Sequence, residues 1–150
     1  MKDQFDINGA TEWQGTYYRT LLSAQDSDGS LSITDSLSPA GSGPPRHIHK
    51  DADETFVTLS GEAVFWRDGS FFQSGPGESV FIPRGVPHTF RVTDAGPSRH
   101  LVIMTPGGFE GFFHEMGQAG YAIPEDMQKI VEVAQRYNLE FTGPPLDATD

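Results

Sequence analysis

Three histidines and a glutamate have the types and spacing to do chemistry. In PPRHIHKDADE, residues 44–54, His47 and His49 are one residue apart, and Glu54 lies five residues after the second. His88 follows 41 residues beyond His47, inside GESVFIPRGVPHTF. The first stretch is either a polar patch on a strand edge or most of a metal site. Alternate residues of a strand face one side. An extended 46–50 therefore aims His47 and His49 together and Ile48 the other way. Pro44 and Pro45 favour extended backbone just upstream. The polar KDAD that follows can turn the chain so that a new strand begins with Glu54. Pro83, Gly85 and Pro87 form a tight turn that delivers His88 to the start of another strand. Three imidazoles and one carboxylate make an N₃O donor set. It suits Fe, Mn, Co, Ni, Cu or Zn and suits Ca or Mg poorly.

Such side chains need strands to hold them. The 17 Gly and 11 Pro cut the chain into short segments. TYYRTLLS (16–23), ETFVTLS (54–60), ESVFIP (78–83), HTFRVT (88–93) and RHLVIMT (99–105) have strand composition. SLSITDSL (30–37) alternates Leu31, Ile33 and Asp35 against Ser30, Ser32 and Thr34, a period of two. Residues 62–73 form a hairpin, because Asp68-Gly69 suits a two-residue type I′ turn. Strands recurring every eight to twelve residues or so predict an all-β barrel or sandwich. After Pro106 the period changes. Phe109, Phe112, Phe113 and Met116 fall on one helical face. Pro124 opens a second helix, with Glu125 and Asp126 at its positive end and Met127, Ile130, Val131 and Ala134 as its apolar stripe. Both helices are expected to pack on the outside of the barrel, and the tail GPPLDATD to be loose.

A length of 150 residues predicts one domain, 1–150, large enough to bury roughly 70% of its unfolded surface. There is no Cys, hence no disulfide, thiolate ligand or Cys nucleophile. No apolar leader and no apolar run of ~20 residues is visible, so a cytoplasmic location without a membrane span is expected. Ten basic against 21 acidic residues give a net charge of −11. That balance excludes nucleic acid and anionic membrane surfaces as partners. A small molecule fits, since a buried metal outweighs the global field locally. Glu110 and His114 read as a solvated helical pair, His100 as structural or surface, and Arg84 and Arg91 as surface charges.

The spacing also carries a family resemblance. Gly41-x₅-His47-x-His49-x₄-Glu54-x₆-Gly61 matches the first cupin motif at every defined position. Gly77-x₅-Pro83-x-Gly85-x₂-His88 matches the second up to its last position, where the family often has Asn and this chain has Val92. The resemblance implies a cupin fold, a double-stranded β-helix or jelly-roll barrel, with short C-terminal α-helices over about 107–138. The metal motifs would occupy 41–61 and 77–92, and His47, His49, Glu54 and His88 would hold one divalent transition metal inside. Strand parity then turns Phe56, Thr58, Phe90 and Val92 inward as a substrate pocket.

GPPRHIHKDADETFVTLSGEAVFWRDG, PGESVFIPRGVPHTFRV and TPGGFEGFF further resemble the single-domain quercetinase-like cupins of bacteria. That resemblance implies a metal-dependent dioxygenase whose partners are a flavonol or related enolic substrate and O₂. Such enzymes open the flavonol ring and release carbon monoxide. Glu54 would be both ligand and catalytic base, and the chain could pair as a homodimer. Two other classes fit the same residues. One is a non-oxidative metal enzyme: an isomerase, a decarboxylase or a polyketide cyclase. The other is a non-catalytic module that binds a small ligand.

Overall fold

A computed structural model describes residues 4–150. The chain begins with β1 (Thr11–Trp13), β2 (Thr16–Leu22), β3 (Ser32–Ser38) and β4 (Pro45–His49). It continues with β5 (Asp53–Ser60), β6 (Ala63–Arg67), β7 (Ser70–Ser74) and β8 (Ser79–Ile82). Then come β9 (His88–Val92), β10 (Ser98–Thr105), α1 (Glu110–Ala119), α2 (Met127–Arg136) and β11 (Leu139–Pro145). The strands form two antiparallel sheets, ordered β1-β2-β3-β10-β5-β8 and β11-β4-β9-β6-β7. This is the all-β cupin architecture with two short helices.

The core lies where the sheets face each other. Phe56, Val80, Ile82, Val102 and Met104 of the first sheet meet Ala63 and Phe65 of the second. Phe56 and Phe65 touch across the gap, ring centres 5.0 Å apart. The β6–β7 hairpin closes on Asp68 and Gly69, both at positive φ (47° and 91°), as a type I′ turn requires.

Three sequence expectations need correction. The tail is not loose where it matters: β11 runs through Gly143 to Pro145 beside β4, and Leu146 is buried. Prolines are tolerated there because β11 is an edge strand, where one side needs no N–H donor. Helix α2 starts at Met127, three residues past Pro124, and its Val131 faces solvent while Ile130 and Ala134 are buried. Helix α1 does not simply cover the outside, since Phe109, Phe112 and Phe113 reach into the interior cavity. The sequence left the inward face of β3 unassigned; it buries Ser32, Thr34, Ser36 and Ser38, so its small polar set faces inward and Ile33 is only half-buried. Among the described residues no helix is long and apolar enough to cross a membrane.

Candidate metal centre

His47, His49, Glu54 and His88 converge as the sequence spacing predicts. All four are buried, and one ligand atom from each lies within 4.8 Å of the others. Strand parity explains the first pair, because β4 buries alternate residues and so carries His47 and His49 inward together. His88 opens β9 directly opposite His47 in the ladder. The turn before it is tied down by the Gly85 N–H, which donates to the His49 carbonyl at 2.8 Å. Gly85 stands at φ +81°, a conformation that a side chain strains. Glu54 enters from the other sheet, paired with Met104 and Ile82.

Hydrogen bonds orient two of the rings. His47 Nδ1 donates to the Pro45 carbonyl at 2.8 Å, and His88 Nδ1 to the Val86 carbonyl at 2.9 Å. Carbonyls only accept, so the neutral His47 ring leaves Nε2 as a lone pair facing the centre, whereas His88 Nε2 meets the Glu54 carboxylate, a contact that needs a proton or a cation between them. His49 is positioned by packing, with the edge of Phe109 against its ring at 4.5 Å. Glu54 Oε1 lies 2.7 Å from His88 Nε2 and 3.5 Å from His49 Nε2.

Protonation matches this geometry. Burial pushes the His47 imidazole well below its ordinary range, and repulsion from His88 and His49 adds to it against the opposing pull of Glu54 and Pro45. Burial alone would raise the Glu54 carboxyl. The charges and hydrogen bonds of His49 and His88 together outweigh it and hold the group well below its ordinary range. Neutral imidazole and ionised carboxylate are the forms that ligate a cation. A buried ionised carboxylate ringed by imidazole nitrogens forms a receptor for positive charge. Donors about 2.0–2.2 Å from one ion sit near these mutual distances. The residues therefore fit a divalent metal, and the donor set leaves its identity open.

A cavity extends from these donors. Phe56, Phe90, Phe109, Phe112, Phe113 and Phe141 supply its aromatic wall. Two of the expected pocket residues, Phe56 and Phe90, border it. Thr58 and Val92 share their inward parity but lie deeper. The Thr58 hydroxyl pairs with Ser74 at 2.9 Å, and Val92 has no exposed surface. The other candidates are structural. Glu110 accepts the Ala24 and Gly108 N–H groups, and Arg84 forks onto Asp53. The cavity also recruits residues that the sequence did not place in it: Phe109, the α1 residues Phe112 and Phe113, Phe141 of β11, and His100.

Residues 35–104 match the family model of the cupin domain. Quercetin 2,3-dioxygenase of Bacillus subtilis is 29% identical over 75% of this chain and 34% of its own length. Dimethylsulfoniopropionate lyase DddQ of Ruegeria pomeroyi is 35% identical over 69% of this chain and 59% of its own length. The chain thus spans about a third of the first relative and three-fifths of the second. A cupin-like protein from Thermotoga maritima superposes with a TM-score of 0.62 at 14% identity, covering 95% of this chain and 90% of that one. That likeness speaks to the fold alone. The fold, the motif spacing and the matched segment 35–104 are those of a cupin domain, and the chain is similar over part of its length to quercetin 2,3-dioxygenases.

Proposed function

We propose that this cupin is a metal-dependent dioxygenase that opens a flavonol or a related aromatic enol with O₂. The observation that carries the proposal is the union of a His₃Glu donor set with an aromatic-walled cavity. A divalent metal in the donor set supplies Lewis acidity, which lowers the pKa of an enolic hydroxyl. His47, His49, His88 and the Glu54 carboxylate would hold that ion, the His47 and His88 rings oriented by backbone carbonyls. Glu54 is an ionised carboxylate and takes the enolic proton on Oε1. Phe56, Phe90, Phe109 and Phe113 clasp a flat ring system and exclude water from the electron-rich enolate. The overall balance is one flavonol and one O₂ consumed, with one ring-opened ester and one carbon monoxide released.

A second reading is favoured by the identity to the DddQ lyase. The same donors and the same base can abstract a proton and eliminate without O₂. Products of metal-reconstituted protein, compared in air and under strict anaerobiosis, separate the two. The dioxygenase reading expects quercetin to be consumed in air only. Product formed equally without O₂ would reject it in favour of the non-oxidative class.

A further inference from the structure

His100 occupies an unusual position for a residue without an assigned task. It stands on β10 between Ser36 of β3 and Thr58 of β5, and is 5% exposed. Its ring packs against Phe56 and Phe90 at 5.7 and 5.3 Å, the layer of side chains next to the metal donors. Neither ring nitrogen has a hydrogen-bond partner among the described residues. Among the described residues, Ser32 Oγ is the fully enclosed side-chain polar atom without a partner, so the His100 nitrogens are not sealed but open on the cavity. Burying an imidazole without a partner is costly. A buried imidazole open to an aromatic cavity can offer a hydrogen bond to a group that enters it.

Its surroundings support that role. Ser36 pairs with both His100 and Tyr18, and Thr16, Tyr18, Ser36 and Ser38 line the same end of the cavity. This hydroxyl-rich end is separated from the metal donors by the Phe56–Phe90 layer of side chains. Glu54 faces Met104, whereas His100 faces Thr58, four residues further along β5, roughly 13 Å at the usual strand rise. Burial pushes the His100 imidazole down to about 4, against the opposing charges of Glu54 and Asp35. The neutral ring then offers one donor and one acceptor.

We propose that His100, with Ser36 beside it, is a second polar anchor that selects ligands with a phenolic hydroxyl or carbonyl remote from their metal-binding oxygens. The proposal rests on the cavity being the substrate site, and it makes that substrate polar at both ends with an apolar middle. His100 acts here on specificity and takes no part in the bond-breaking steps.

The test is calorimetric titration of metal-reconstituted protein with quercetin and with 3-hydroxyflavone, which share the metal-binding oxygens and differ in the remote hydroxyls. The wild type should bind quercetin about tenfold more tightly. His100→Leu should reduce the ratio to within about twofold while still binding 3-hydroxyflavone, which also shows that it folds. His100→Gln, which keeps a donor and an acceptor, should restore much of the ratio. Equal binding of the two flavonols by the wild type, an unchanged ratio in His100→Leu, or no binding of either by the wild type would overturn the anchor. Oxygen uptake in the same samples separates this from the dioxygenase reading. Discrimination without turnover leaves the anchor standing and rejects the dioxygenase. Turnover without discrimination does the reverse.

Discussion

Glu54 combines the two properties that the proposed chemistry needs, since it is ionised by its histidine neighbours and sealed from solvent. Glu54→Gln removes the base but keeps an oxygen donor of the same reach. The expected outcome is substantial metal retention with kcat lowered by roughly 10²–10⁴. Metal analysis beside steady-state kinetics checks it, and full activity would show that the proton goes elsewhere. His100 makes a separate prediction about stability. Its folded pKa, about 4, lies below the ordinary 6.5, so between these values the unfolded chain binds more protons than the folded one. Its contribution is complete above pH 6.5 and is lost as pH falls towards 4, a difference on the order of 3 kcal/mol. Urea unfolding at pH 7 and pH 4.5 should show a smaller acid loss in His100→Leu than in the wild type. Equal losses would mean that the imidazole titrates normally.

Among the elements, β11 has a task that its composition hides. It pairs Leu139 with His49 and Phe141 with His47, and so backs the strand that carries two candidate ligands. Leu139→Ala should cost about 2–5 kcal/mol in urea unfolding and weaken metal binding as well. Loss of stability with unchanged metal affinity would show that β4 needs no such backing. The donor cluster itself was legible in sequence, because strand parity and fixed turns set which way His47, His49, Glu54 and His88 point. The inward Ser and Thr of β3 were not legible. Burial of polar side chains there follows from a cavity between the sheets, which a one-strand pattern cannot register. For α1 the period revealed an apolar face but not its target, so the helix read as outer packing rather than as a cavity wall. Gly143, Pro144 and Pro145 disguised β11, since those residue types argue against a strand except at an edge.

At the scale of the whole molecule, the two sheets contribute different halves of one centre. β4 and β9 bring the imidazoles from one sheet, and β5 brings the carboxylate from the other. A metal bound there cross-links the sheets, so its removal should loosen the entire fold. At a metal concentration of ~1,000 times Kd the linkage is worth about 4 kcal/mol. Chelation should then lower Tm by about 10 °C at this chain length, in a melt followed by circular dichroism. An unchanged Tm after complete removal of the metal would place the ion elsewhere. The dioxygenase proposal is tested most directly by O₂ uptake, with carbon monoxide measured alongside, by Fe, Mn, Co and Ni forms given quercetin. At least one form should take up O₂, matched mole for mole by carbon monoxide. Forms that carry a full complement of metal and bind quercetin, yet consume no O₂, would contradict that proposal.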